Sequence, residues 1–438
     1  MIEPSIQNCS SMPTHERRRK ACMAGDAQKP VSCAARQSRL DGALQDACTK
    51  DEFPRMSRRE KRKARRAQKR FEKRKARSDA LGGLEHVFSY RKLYKAGKKC
   101  CNGVRWKHSV QRFEARLFSG TAARRKKLMQ RKYDFSPYVH FLLSERGKVR
   151  PIDAPRIQDR QIEKVYTQEV LLKLYLPSMI WNNGASLPGK GFHFSRKQLE
   201  KELRRHFRKY GRQGGIILSD GRKFFPSASH KHIYDRHDRL ILDDELKAFG
   251  NKVVATVPGD TGMPLGVEPS QAEMIAYASG TDNYMKCQMR MKGYGHYMDD
   301  FYILVPPDVK PETVMDALYR QAEKDYFTPH PDKTRYVPLT KPFRYCKAKY
   351  VLTDTGKVVV RANRNAMPRD RKKLKALKGK MDRREVSLAD VWTSMNGMTA
   401  YLETYDEHKN VLRLRRLFYA LFGFSCERYE NFKTGGTV

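Results

Sequence analysis

Few features of this 438-residue chain point to membranes or to disulfide chemistry. No run approaches the roughly 20 apolar residues that a membrane-spanning helix requires. The opening segment, "MIEPSIQNCSSMPTHERRRKAC", lacks the apolar core of a secretory signal, so a soluble cytoplasmic protein without a membrane partner is expected. Nine cysteines are present, with no CxxC pair among them. Cys9, Cys22, Cys33 and Cys48 are widely spaced and Cys100-Cys101 are adjacent, which favours free thiols in a reducing compartment over a structural zinc site. Acidic residues are scarce as well: 48 Asp+Glu face 90 Lys+Arg, leaving a net charge of +42. Such an imbalance calls for a polyanionic partner, and nucleic acid fits because phosphate neutralisation and counterion release reward dispersed Lys and Arg.

Along the chain, residues 1–53 are polar and without periodicity, and read as a loosely structured N-terminal extension. Residues 54–138 read as a basic helical RNA-binding extension. It begins with "SRREKRKARRAQKRFEKRKAR", rich in helix formers but lacking an apolar stripe, where Arg58, Arg59, Lys61, Arg62, Arg65 and Arg66 are candidate phosphate ligands. Interleaved aromatics follow: Tyr90, Tyr94, Trp106, Phe113 and Phe118. They admit a base-stacking role, but the core of a small helical unit is the preferred reading.

From Val139 the pattern changes. "VHFLLSERGKVRPIDAP" predicts a hairpin turning at Arg146-Gly147, and "DRQIEKVYTQEVLLKLYLPSM" carries apolar residues at helical spacing. "GGIILSD" predicts a strand ending at Asp220, "HKHIYDRHDRLILDDELKAF" one helix, and "HYMDDFYILV" two strands about a tight turn holding Asp299 and Asp300. "GMPLGVEPSQAEM" runs from loop into helix with Pro269 in the first turn, and "ETVMDALYRQAEKDY" is helical again. This order matches a split βαβ sheet with helices on one face, followed by a basic helical bundle. His193, His230, His232 and His296 read as satisfied or exposed rather than metal-ligating.

Two adjacent aspartates between apolar runs repel each other and are costly to bury. A sheet can bring Asp220 beside Asp299 and Asp300, and hard divalent cations would offset the repulsion. Two Mg²⁺ ions (Mn²⁺ is an alternative) about 3.5–4 Å apart can activate a 3′-hydroxyl and stabilise departing pyrophosphate.

These segments resemble the motifs of reverse transcriptases. "YMDD" (Tyr297 to Asp300) is similar to their Tyr-x-Asp-Asp motif, and "DGRKFFPS" to the palm motif whose first Asp binds metal. The resemblance implies a catalytic set of Asp220, Asp299 and Asp300, with Gly221 joining them at the metal. Phe225, with Phe224 beside it, would screen the ribose 2′ position and favour dNTPs. "GMPLGVEPSQ" is similar to the loop-helix motif at the incoming nucleotide, which implies roles for Leu265, Gly266 and Gln271. "GKVRPIDAP" with "DRQIEK" resembles the bacterial fingers pattern, implying that Lys148 and Arg150 hold the triphosphate. "PDKTRYV" implies that Lys333 assists pyrophosphate departure, and "KPFRYCKAKYVL" occupies the primer-grip position. Tyr297 would touch nucleic acid.

The implied fold is α+β, a right-hand polymerase: fingers at 139–215, a split-βαβ palm at 216–350, and a linker with helical thumb at 351–438. The implied activity is RNA-directed DNA polymerisation, with an RNA template, a DNA product and dNTPs. Leu265 with Ser270-Gln271 is closer to diversity-generating and defence-associated bacterial reverse transcriptases than to intron maturases, which usually carry Gln at the Leu265 position. The basic surface exceeds what a short hybrid needs, so a dedicated structured noncoding RNA is the expected template, and antiphage defence one expected role. An error-prone diversity-generating or mobile-element enzyme is the alternative. A different class also fits, an RNA-binding protein with an inactive polymerase core. An oligomer or accessory protein stays open.

Overall fold

The computed structural model describes residues 57–145 and 147–423; the N-terminal expectations for 1–53 and the end of the thumb segment beyond 423 lie outside them. Contacts divide the chain into two units, Met1–Phe71 and Glu72–Val438. Helix α1 (Arg58–Asp79), which starts in the first unit and ends in the second, begins with a capping box: Ser57 N–H donates to Glu60 Oε2 (2.9 Å) and Glu60 N–H to Ser57 Oγ (3.3 Å). Arg58, Arg59, Arg62, Arg65 and Arg66 are solvent-exposed along it, and Lys61 is half-exposed.

In the second unit, four short helices open the fold: α2 (Gly83–Val87), α3 (Tyr90–Cys101), α4 (His108–Ala115) and α5 (Leu117–Met129). They are followed by a hairpin, β1 (Val139–Glu145) and β2 (Lys148–Ala154), paired from Val139↔Ala154 to Glu145↔Lys148. Helix α6 (Ile157–Tyr166) continues through a π-helical turn, Thr167–Leu171, into Leu172–Tyr175, and α7 (Phe192–Tyr210) leads into β3 (Gly215–Asp220).

The helices of the basic extension expected over 54–138 share a core with the segment that follows. Leu81, Phe88, Leu93 and Leu128 share one apolar core with Ile162, Val165, Tyr166 and Leu171 of α6, so no structural boundary falls between them. Its cause is visible in the α6 pattern, whose apolar stripe needs a partner surface that the basic helices supply. Of the interleaved aromatics only Phe113 is buried; Trp106 and Phe118 are 74% and 70% exposed, so the core reading fails for them.

The predicted single helix over 230–249 is two, α8 (His230–Leu240) and α9 (Asp244–Val254), because the Asp243 side chain caps the second by accepting from Leu246 N–H. Helix α10 (Glu268–Tyr277) carries Pro in its first turn as expected. Then come β4 (Tyr294–Tyr297), β5 (Asp300–Val305), α11 (Pro311–Lys324) and β6 (Arg335–Pro338). The four strands form an antiparallel sheet in the order β4-β5-β3-β6, the β-α-β-β-α-β arrangement that the element order predicts.

Both faces of this sheet are covered, not one. Ile217, Phe301, Ile303 and Val305 pack with Tyr277, Val314 and Leu318 on the helical side. Ile216, Leu218, Tyr302 and Leu304 pack with Leu199, Leu203 and a second sheet on the other. Two-sided burial explains why "IIL" and "FYILV" are unbroken apolar runs rather than alternating ones. The second sheet is β7 (Phe343–Tyr345), β8 (Ala348–Leu352) and β9 (Val358–Arg361), so the expected palm boundary at 350 falls inside a strand. Three helices close the described chain: α12 (Ala366–Asp382), α13 (Leu388–Glu403) and α14 (His408–Phe422). Trp392, Met395, Leu414 and Phe418 join the same core as β7–β9.

Candidate active site

The palm-like sheet delivers the carboxylates to one edge. Asp220 ends β3 and stands directly opposite Asp300, the first residue of β5, in the antiparallel register. Directly opposed residues have Cβ atoms about 5 Å apart, and at an effective dielectric of about 20 two charges at that distance repel by roughly 3 kcal/mol. Asp299 sits in the two-residue turn with Met298, whose φ of 55° lies in the left-handed region. The sequence expectation put both aspartates in the turn; Asp300 is instead strand, because Tyr297↔Asp300 closes the hairpin. The turn is tied to β3 by Gly221 N–H donating to the Asp299 carbonyl (2.8 Å), and Gly221 has no room for a Cβ against the Phe224 ring.

The electrostatics are those of an under-compensated cluster. Burial, reinforced by the Asp299 and Asp220 charges, pushes the Asp300 carboxyl up to about 7 despite Lys333 and Lys347. Burial, and then Asp220, likewise raises Asp299 against the opposing pull of Lys333 and Arg150. Lys333 Nζ donates to both oxygens of Asp220, at 3.0 and 2.9 Å. A cavity of about 350 Å³ opens on this edge, lined among others by Asp220, Asp300, Lys333, Arg335, Arg344 and Lys347. Arg335, Arg344 and Lys347 were not singled out from sequence, although they sit inside the segments "PDKTRYV" and "KPFRYCKAKYVL".

Among the described residues no group of three or more His, Cys, Asp or Glu side chains stands close enough to form a ready metal-ligand set. The donor chemistry nonetheless fits hard divalent cations: all three groups are carboxylates, mutually repelling, with one ammonium facing Asp220. Asp220, Asp299 and Asp300 would be the ligands, with the Gly221 backbone beside them.

Around the carboxylates, Arg150 on β2 is exposed and acts electrostatically on Asp299. The Lys148 side chain lies outside the described residues; its backbone pairs with Glu145. The 262–267 loop is docked onto β2 through Asp153 N–H to Leu265 O (2.9 Å). Gly266 suits that contact, with φ at 109° and a Cβ position only 3.0 Å from Asp153 O and Ile152 Cγ2. Leu265 is half-buried there and Gln271 is exposed on α10. The loop also meets the Phe225 backbone, whose carbonyl accepts from Met263 N–H at 2.9 Å.

Phe224 and Phe225 part ways. Phe224, expected beside the nucleotide, is buried edge-on against Tyr277 and Phe327, whereas Phe225 is half-buried at the surface. Tyr297 is half-buried with its ring edge-on to Phe192 at 6.5 Å, so it packs as well as facing the turn. The histidines largely behave as read: His230 Nε2 meets Gly262 O (2.7 Å), His232 Nε2 meets Tyr277 O (3.1 Å), and His296 Nδ1 meets Asp282 (2.8 Å).

No family model and no curated protein matches the chain. Among solved structures it is similar to the telomerase of Candida albicans in complex with a TWJ fragment of telomeric RNA, at 11% identity and a TM-score of 0.42. That likeness covers 68% of this chain and 64% of that one, so the chain spans just under two thirds of that structure's length.

Proposed function

We propose that this chain is a reverse transcriptase of right-hand form, an RNA-directed DNA polymerase that extends a primer with dNTPs by metal-assisted nucleotidyl transfer. One observation carries the reading: Asp220 and Asp300 are register partners on adjacent strands, with Asp299 in the abutting turn and Lys333 on Asp220 as the direct ion pair among the three. Divalent cations held there would supply the positive charge that activates a primer 3′-hydroxyl and stabilises the departing pyrophosphate.

The chain's own residues divide the remaining work. Arg150, with Lys148, neutralises the triphosphate as it approaches the carboxylates, consistent with the influence of Arg150 on Asp299. Phe225 stands against the sugar edge and disfavours a 2′-hydroxyl. Leu265 and Gly266, braced on β2, form the floor under the nucleobase. An aliphatic Leu265 cannot hydrogen-bond the nucleotide, which supports relaxed fidelity. Lys333, paired with Asp220, would be the ammonium closest to a departing pyrophosphate. The +42 charge supports a large structured RNA as template, and antiphage defence is the host role we attach to it.

The test is extension of a primed RNA by purified protein with Mg²⁺ and dNTPs. Templated DNA synthesis is expected, and it is lost in Asp220→Ala. Equal use of rNTPs would make the protein an RNA polymerase, and no synthesis on any primed RNA would make it an RNA-binding protein with a silent core.

A further inference from the structure

The helical unit at residues 83–129 leaves Phe118 and Trp106 in solvent and Tyr90 and Tyr94 half-exposed, with Tyr94 also packed on the Val110–Phe113 core. Tyr90, Tyr94 and Lys98 follow one another at i, i+4 and i+8, one stripe of α3. The Tyr90 and Tyr94 rings are stacked, 6.1 Å apart and 13° from parallel, and Lys98 Nζ lies 5.1 Å from the Tyr94 centroid. Phe118, at the start of α5 and 70% exposed, meets Tyr90 edge-on at 5.2 Å. The Tyr90 hydroxyl donates to the Phe118 carbonyl at 3.1 Å, which holds the two helices' rings in one orientation. On the same unit Trp106 is 74% exposed with Lys107 Nζ 5.2 Å from its ring.

The two helices that carry the Tyr90, Tyr94 and Phe118 rings bear charge of one sign, and the acids that reach them come from outside: Glu169 on Lys92 and Glu85 on Arg125. Helix α3 holds Arg91, Lys92, Lys95, Lys98 and Lys99 and no acidic residue, and α5 holds Arg124, Arg125, Lys126 and Lys127 and none either. A docking protein helix would have to bring its own acids to such a face. A single-stranded nucleic acid answers both features, since bases stack on aromatic rings while phosphates meet the cations. Duplex RNA answers only the second, because its bases are already stacked.

We propose that the Tyr90–Tyr94–Phe118 surface binds an unpaired segment of RNA, apart from the carboxylate edge. None of its residues lines the cavity at Asp220. The inference deepens the RNA-directed reading above and rests on it only for the identity of the nucleic acid. It assigns the unit a preference for unpaired over paired RNA, so a loop or tail of the bound RNA is what it anchors.

The experiment measures binding of the full chain to a roughly 12-nucleotide oligouridine and to an RNA duplex of equal length, without divalent cation or dNTP. For Tyr94→Ala/Phe118→Ala, the Kd for oligouridine should rise by about tenfold or more, with duplex binding nearly unchanged. Phe118→Trp, which keeps a π-face, should retain wild-type affinity. Oligo containing 4-thiouridine should crosslink within residues 90–118. Unchanged oligouridine affinity, equal weakening on both RNAs, or crosslinks confined to other segments would each overturn the proposal. Asp220→Ala should bind oligouridine normally, so failure of the polymerase reading and failure of this one give different results.

Discussion

A buried glutamate and a cluster of aspartates in this protein are built in opposite ways. Glu273, buried on α10, receives the Tyr175 hydroxyl at 2.8 and 2.9 Å and lies 3.0 Å from His237 Nε2 and 3.5 Å from the Arg236 guanidinium. Its charge is answered from within the chain on every side. Asp220, Asp299 and Asp300 are answered by one Lys333 ammonium, with Arg150 and Lys347 at longer range, and they repel one another. A buried acid that the fold has satisfied is structural; acids that the fold has gathered and left unsatisfied are where the proposed cations would bind.

The contrast can be broken in order of effect. Asp220→Ala or Asp299→Ala should cut primer extension by about a thousandfold or more while leaving RNA binding intact, measured by single-turnover incorporation and by filter binding. Loss of binding instead would place the aspartates with Glu273 as structural. Glu273→Ala should destabilise the protein by about 3–5 kcal/mol in urea unfolding, because it strands a buried guanidinium.

Magnesium should separate the two next. At 100 times its dissociation constant it should stabilise the wild type by about 2.7 kcal/mol, and Asp220→Ala should lose that gain while remaining folded. The pH response comes after it. The folded-state value of Asp300 is raised to about 7, so the uncharged form is the favoured one in the fold. Its contribution to metal-free stability is therefore full below the unfolded carboxylate range and is lost as pH rises towards and through 7. Glu163, buried beside Asp159 and raised to about 8 by burial first, acts in the same direction over a window reaching 8. Asp300→Asn and Glu163→Gln should each flatten the decline in melting temperature over their windows; a slope unchanged in both would remove the titration argument. The smallest expected effect is a few-fold fall in misincorporation for Leu265→Gln, read by sequencing the cDNA, an estimate on the scale of a single added hydrogen bond.

Much of the site was legible because its elements are short and locally encoded. "GIILSD" and "YMDDFYILV" announce buried strands by unbroken apolar runs, and their charged ends had to meet wherever those strands paired. Gly266 and Pro269 mark the loop and the helix start through backbone preferences that need no partner. Less legible was anything decided by a distant surface. Nothing local tells Phe224 from Phe225, yet one is core and the other is not, because Tyr277 and Phe327 arrive from other elements. The break between α8 and α9 turned on the Asp243 cap winning over helical periodicity.

The basic N-terminal region shows the same limit. Its helix-forming composition foretold α1 and the helices after it. Composition could not say which aromatics would be covered: α6 took Leu81, Phe88 and Leu93 as its partner surface, and Phe118 stayed in solvent.

By itself the sequence determined the charge and the apolar strands that end at Asp220 and begin beside Asp299, since each follows from local pattern and side-chain chemistry. Tertiary structure decided that Asp220 faces Asp300, that Arg150 acts on Asp299, and which rings remain exposed. Those facts depend on strand register and on packing between segments far apart in the chain, which no short window of residues contains.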